Sequence, residues 1–255
     1  MIFSWLASHL AVGGLFSLLL VPPEEFGRGL HRFTGVLAAL LLGVGLAGGA
    51  LRGATGFSVL IASVLWVALA QGAPLRWLRS SLAILTTMGV VALVGGTPYP
   101  PRFPALDVGA WAERTNSILA ATLLGSVALT LLVGHWYLVI PGLDIRHLRR
   151  MNHLMGSCIA ARGLAAICAL LSSVPNAGAG ELSSLRVVAV REGFFFWQRV
   201  GIGLAGPAVL AWMVERTVRI RSTQSATGLL YVTVVLVLIG EMISRFLWIT
   251  VGIPQ

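Results

Sequence analysis

Eight long runs of apolar residues divide the sequence, and they constrain its fold more than any other feature. A helix needs about 20 apolar residues to cross the hydrocarbon core of a bilayer. Breaks that carry arginine or proline separate the runs, which cover residues 3–21, 33–51, 55–72, 80–96, 115–140, 150–174, 193–214 and 224–252. We therefore expect an all-α integral membrane protein, a polytopic bundle of about eight transmembrane helices that forms one domain over residues 1–255.

The composition excludes several functions. Only 11% of the residues are charged, whereas an average soluble domain has about one quarter. All 18 basic residues are arginine, so no lysine can form a Schiff base with retinal or pyridoxal phosphate or complete a phosphate-binding P-loop. The sequence also has no HExxH or GxSxG motif and no DxD-type carboxylate pair, which disfavours hydrolases and glycosyltransferases. We interpret the net charge of +9 as a signal of membrane orientation, without a nucleic-acid partner.

The arginines are distributed unevenly between alternate loops. Ten follow the odd-numbered helices, namely Arg28, Arg32, Arg76, Arg79, Arg146, Arg149, Arg150, Arg216, Arg219 and Arg221. Five follow the even-numbered helices, namely Arg52, Arg102, Arg114, Arg186 and Arg191. The positive-inside rule then predicts cytoplasmic odd-numbered loops and both termini outside, in a bacterial-type inner (cytoplasmic) membrane.

The two longest loops, 97–114 and 175–192, lie on the outer side by this count. The first contains a stiff stretch of prolines and aromatic residues at 97–104, which suits the docking of a partner subunit.

A faint internal similarity relates residues 20–32 to residues 138–150, each at the cytoplasmic end of an odd-numbered helix. It is consistent with a parallel duplication of a four-helix unit, with halves 1–114 and 115–255.

Charged residues inside the predicted spans are the first candidate site, because a charge at mid-bilayer costs from ~3 to above 10 kcal/mol. Glu241 and Arg245 lie four residues apart on one face of the last helix and are expected to pair with each other. At ~1.5 Å per residue, Glu241 lies about 25 Å from the cytoplasmic end of its helix. Arg162, Arg199 and His9 complete a predicted polar cluster with surplus positive charge. It could receive a haem propionate, a quinone carbonyl or an acidic substrate; alternatively, the other arginines reach lipid headgroups.

A second candidate site lies near the cytoplasmic surface. His135, at the end of the fifth helix, and His153, at the start of the sixth, have matched depths, and Trp136 and Tyr137 follow His135 directly. We expect the two imidazoles to face a shared pocket, where they either ligate the iron of a b-type haem or bind a quinone head group. The alternative is an interfacial belt of aromatic residues, which belong at this depth in any case.

The stretch Gly240-Glu241 through Arg245-Phe246 resembles the G-E-x-x-x-R-aromatic pattern near the end of the membrane anchor subunits of dimethyl-sulfoxide-reductase and polysulfide-reductase type complexes. The eight-helix plan with both termini outside is similar as well. The resemblance implies a non-catalytic subunit that binds menaquinol or ubiquinol and holds redox partners at the membrane, with roles for Glu241 and Arg245. That family generally lacks haem.

The sequence thus favours an integral subunit of a respiratory or photosynthetic electron-transfer complex that interacts with quinone, bound lipids and partner subunits. Three alternatives remain open at this point. The chain could be a small-anion secondary transporter that uses Arg162, Arg199 and Arg245, a b-haem-binding subunit, or a structural subunit without a ligand.

Overall fold

The computed structural model of the chain describes residues 2–96, 107–140, 142–173 and 193–251. Within these residues the chain forms eight helices and no strand. The helices are α1 (Ile2–Leu18), α2 (Pro23–Ala47), α3 (Gly53–Gly72), α4 (Leu75–Gly96), α5 (Asp107–Val139), α6 (Arg146–Ser173), α7 (Gly193–Arg219) and α8 (Thr223–Val251). The predicted docking segment 97–104, together with Arg102, Arg186 and Arg191, lies outside the described residues.

Six of these helices, all except α1 and α6, are long and apolar enough to cross a membrane. Helix α1 is apolar but has only 17 residues, and α6 contains four arginines. The chain is therefore a multi-pass membrane protein, and the predicted all-helical fold with eight helices is confirmed for the described residues. That α1 and α6 also cross the membrane stays a prediction.

Several helices begin earlier than the apolar runs predict, and α2 shows why. It begins at Pro23 rather than at residue 33, because a proline in the first turn is already in a helical conformation and Glu24 and Glu25 lie favourably at the positive end of the helix dipole. Gly27, with φ of 69°, then kinks the helix before its apolar part. Charged first turns extend a helix beyond its apolar run.

The eight helices form two groups of four, α1–α4 and α5–α8, within which consecutive helices pack against each other. Helices α1 and α5 form the central pair: α1 also contacts α4, and α5 also contacts α8. A four-helix duplication would give this arrangement, and the duplication itself stays a prediction.

The two groups meet where α1 and α5 cross at Gly13 and Gly125. A Cβ atom on Gly13 would lie 1.7 Å from the carbonyl oxygen of Ala121, and one on Gly125 would lie 1.8 Å from the carbonyl carbon of Gly13. Such contact of two backbones is a common way for helices to pack in membranes. It holds α1 close enough to α5 for His9 and Ser117 to touch.

Candidate functional site

Three charged side chains form a buried network between α6, α7 and α8. Arg162, Arg199 and Glu241 are at most 1% exposed. The Nε of Arg162 donates to Oε1 of Glu241 at 3.0 Å, and its Nη2 donates to Oε2 at 2.9 Å. Arg199 Nη2 donates to the same Oε1 at 2.8 Å. One carboxylate therefore holds two guanidinium groups, and the first of them in a bidentate geometry.

Arg162 also ties α5 to this network. Its Nη1 donates to Oδ1 of Asn116, and its Nη2 donates to Oγ of Ser244 at 3.1 Å. Buried charges are costly unless they are paired and hydrogen-bonded, and the guanidinium of Arg162 meets both conditions. The sequence prediction that Arg162, Arg199 and Glu241 lie together agrees with this geometry.

Arg199 is held differently, beside a π-helical turn at Gly201–Ala205 in α7. A Cβ atom on Gly203 would lie 2.8 Å from Nη1 of Arg199, and one on Gly240 would lie 3.0 Å from it. These two glycines therefore make the space for the guanidinium. Its Nε and Nη1 have no hydrogen-bond partner among the described residues, so the side chain retains buried donor capacity.

Arg245 forms a second buried pair, with Glu113 of α5. Its Nη1 lies 3.7 Å from Oε1 of Glu113. The guanidinium carbon lies 4.2 Å from the ring centroid of Trp248 and 4.9 Å from that of Trp5, within the range of cation–π attraction.

The expectation that Glu241 and Arg245 pair within α8 is therefore wrong. The helix places both on one face, but the neighbouring helices supply better partners: two guanidiniums for Glu241, and a carboxylate with two aromatic faces for Arg245.

His9 lies beside this second pair and is 1% exposed. Its Nδ1 donates to the carbonyl oxygen of Trp5 at 2.8 Å, and its Nε2 lies 2.6 Å from Oγ of Ser117. The imidazole stacks on Trp5, whose ring also faces Arg245. His9 thus belongs to the predicted cluster, with both ring nitrogens already hydrogen-bonded.

All these side chains lie toward the same end of the bundle. They come from the first parts of α1, α5 and α7 and from the second halves of α6 and α8. Glu241 lies about 27 Å along α8 at ~1.5 Å per residue. The site is therefore well inside the helical bundle, displaced toward the end at which α1 begins.

The second predicted site does not form. His135 is exposed on the surface of α5, whereas Nε2 of His153 lies 3.2 Å from Oε2 of Glu215 on α7. The reason is the face of α6 on which His153 lies. The carbonyl oxygen of Met151 accepts a hydrogen bond from Thr130 of α5, so Met151 lies on the side of α6 that faces α5. At 3.6 residues per turn, His153 lies about 200° further around the helix and points away from α5. Similar positions near the ends of their helices therefore did not turn the two imidazoles toward a shared pocket.

The aromatic neighbours of His135 have structural contacts instead. The ring of Trp136 packs near Gly29 of α2, since a Cβ atom added to Gly29 would lie 3.3 Å from that ring. The hydroxyl of Tyr137 donates to the carbonyl oxygen of Asp144, and its ring lies edge-on to Phe26. These contacts fix the start of α2 and the loop after α5.

Sequence reasoning missed three polar residues of α5 that complete the site. Glu113, Asn116 and Ser117 follow a spacing of three and four residues, which places them on one helical face. That spacing was a usable signal. It was overlooked because the predicted span began at residue 115 and separated Glu113 from the others.

The described residues contain no group of three or more histidine, cysteine, aspartate or glutamate side chains that could hold a metal ion. Comparisons with protein-family models, with curated proteins and with solved structures gave no match for this chain.

Proposed function

We propose that this chain is an integral subunit of a respiratory or photosynthetic electron-transfer complex in a bacterial-type inner membrane, where it interacts with quinone. In this proposal both termini lie outside, as the arginine distribution suggests, and the buried site lies in the outer half of the membrane. The subunit anchors partners and holds the quinone, while the redox centres belong to other chains.

The observation that carries the proposal is that spare hydrogen-bond donors and a loosely held carboxylate are both buried toward the same end of the bundle. Arg199 has two unpartnered donor nitrogens, and Oε1 of Glu113 has no hydrogen bond among the described residues. A quinone presents carbonyl oxygens that accept hydrogen bonds, and oxidation of its quinol releases two protons together with two electrons. Guanidinium donors and a carboxylate that can receive a proton match these two needs.

The proposal also requires partner subunits. Nearly all described residues lie in the eight helices, so redox centres that accept the electrons of a quinol belong to other chains. Menaquinone and ubiquinone share the carbonyl chemistry on which the proposal rests, and either fits it.

Haem is left out of the proposal. His135 is exposed and His153 contacts Glu215, while both nitrogens of His9 are hydrogen-bonded. None of the three offers a buried, free imidazole nitrogen for an axial ligand.

A test of the proposal begins with the complex purified in mild detergent through a tag on this chain. Co-purifying subunits are identified, and quinol oxidation is measured for the native complex and for Glu113→Gln. Because a positioned proton acceptor contributes ~100-fold or more to a rate, we expect the variant to lower kcat at least about tenfold.

Glu24→Gln is the matched control, since Glu24 is exposed and pairs with Arg79 at the other end of the bundle. It should leave kcat unchanged. Absence of redox partners, or equal turnover in both variants, would contradict the proposal.

Transport of a small anion is the second candidate, and the spare donors of Arg199 favour it. The buried site contains Arg162, Arg199 and Arg245 against Glu113 and Glu241, an excess of one positive charge. Uptake of labelled anions into proteoliposomes that contain only this chain would support transport, and uptake abolished by Arg199→Gln would place the anion at this site.

A further inference from the structure

A cavity of about 540 Å³ opens at the opposite end of the bundle from the Glu241 site. It lies between the end of α1 and the beginnings of α2, α4 and α6. Its lining residues are Leu19, Leu20, Pro22, Glu25, Arg79, Arg146, His147 and Arg150. Neither the quinone proposal nor its alternative uses this cavity.

The lining of the cavity carries more positive than negative charge. Three arginines face one carboxylate, that of Glu25, which already contacts Nη2 of Arg146 at 3.1 Å and Nε2 of His147 at 2.5 Å. Arg79 pairs with Glu24 at 2.6 Å. Arg150 is exposed and forms no ion pair within the described part of the chain. The cavity therefore offers the guanidinium of Arg150, which pairs with no carboxylate of the described residues. The guanidiniums of Arg79 and Arg146 also face it, but each already pairs with a glutamate.

The other wall of the cavity is apolar. Leu19, Leu20 and Pro22 form it at the end of α1, at the level where a membrane helix meets the headgroups of the lipids. A ligand that fits both walls has an anionic group beside an apolar chain. Basic pockets between membrane helices on the cytoplasmic side are a known type of site for phospholipid headgroups.

We propose that this cavity binds the phosphodiester of an anionic phospholipid. Arg150 donates to the phosphate oxygens, Arg79 and Arg146 add to the positive field, and the first part of an acyl chain lies along Leu19 and Leu20. The site gives the α1–α2, α3–α4 and α5–α6 junctions a common ligand. It does not rest on the quinone site, and it uses from the proposed function only the cytoplasmic placement of this end of the bundle.

The test is thermal unfolding of the purified chain in detergent during titration with dioctanoyl-phosphatidylglycerol. Ligand that binds only the folded state raises the unfolding temperature, so the native chain should show a saturable rise. Arg150→Gln should increase the apparent Kd about tenfold, because it removes one charge-assisted hydrogen bond. Arg150→Lys, which keeps the charge, should recover most of the affinity.

Arg216→Gln is the matched control, since Arg216 is an arginine of the same end of the bundle that stacks on Trp212 and does not line the cavity. It should bind phosphatidylglycerol as the native chain does. An equal rise with zwitterionic dioctanoyl-phosphatidylcholine, or an unchanged Kd in Arg150→Gln, would overturn the proposal. Inorganic phosphate that displaces the lipid and gives the full rise alone would assign the cavity to free phosphate instead.

Discussion

The carboxylate of Glu241 is held by Arg162, a residue 79 positions earlier in the chain, through two hydrogen bonds of 3.0 and 2.9 Å. Both side chains are 0% exposed. This pair joins α6 to α8, and Arg199 joins α7 to the same carboxylate. Three helices of the second group therefore meet at one buried carboxylate, and we expect its loss to weaken the packing of all three.

Glu241→Gln should destabilise the protein severely. It leaves two buried guanidiniums without a counter-charge, and breaking a buried pair in this way costs ~3–5 kcal/mol. We expect low accumulation in the membrane and a clearly lower Tm in detergent. Glu24→Gln, which removes one partner of an exposed pair, should cost at most ~1 kcal/mol. Equal stability of the two variants would mean that the Glu241 network does not hold these helices.

Arg245 should be coupled to Glu113 more strongly than to Glu241. In a double-mutant cycle, residues in contact show interaction energies of ~0.5–3 kcal/mol. We therefore expect a larger interaction energy for Arg245→Gln with Glu113→Gln than for Arg245→Gln with Glu241→Gln, measured from unfolding in detergent. The reverse order would restore the pairing within α8 that the sequence suggested.

Two adjacent glycines in α1 provide a matched test of the central crossing. A Cβ atom on Gly13 would lie 1.7 Å from a backbone oxygen of α5, whereas one on Gly14 would meet nothing within 4 Å. Gly13→Ala should therefore lower the Tm markedly, and Gly14→Ala should leave it unchanged or raise it. Similar Tm values for both would show that α1 and α5 do not cross at this point.

The orientation of the bundle can be tested by labelling with a membrane-impermeant maleimide. The native Cys158 and Cys168 are first replaced by serine. Arg52→Cys, exposed between α2 and α3, should label in sealed cells, whereas Arg76→Cys, exposed at the start of α4, should label only after the membrane is opened. The opposite pattern would place both termini in the cytoplasm.

The helices could be predicted from the sequence because apolar runs of membrane length have few alternative structures. The ends of the helices could not be predicted in this way, because charged and proline-containing turns such as Pro23 to Glu25 continue a helix beyond its apolar part. The position of Glu241 in the second half of α8 was also predictable, because the rise of a helix is constant.

Partners across helices were beyond sequence reasoning. Whether Glu241 meets Arg245 or Arg162 depends on which helices are neighbours and how each is rotated, and neither follows from spacing along one helix. The same limit explains His135 and His153: equal depth was predictable, but the rotation that turns His153 toward Glu215 was not. Burial of charge was the reliable signal, and it located Arg162 and Arg199 correctly within the bundle.

The most direct test of the proposed function is photolabelling of the native complex with an azido-quinone, followed by mass spectrometry of the labelled peptides. The proposal predicts labels on the parts of α5, α7 and α8 that contain Glu113, Arg199 and Glu241, and their loss when excess native quinol is present. Labels that lie only on the lipid-facing surface of the bundle, and that excess quinol does not remove, would contradict a quinone site at this buried cluster.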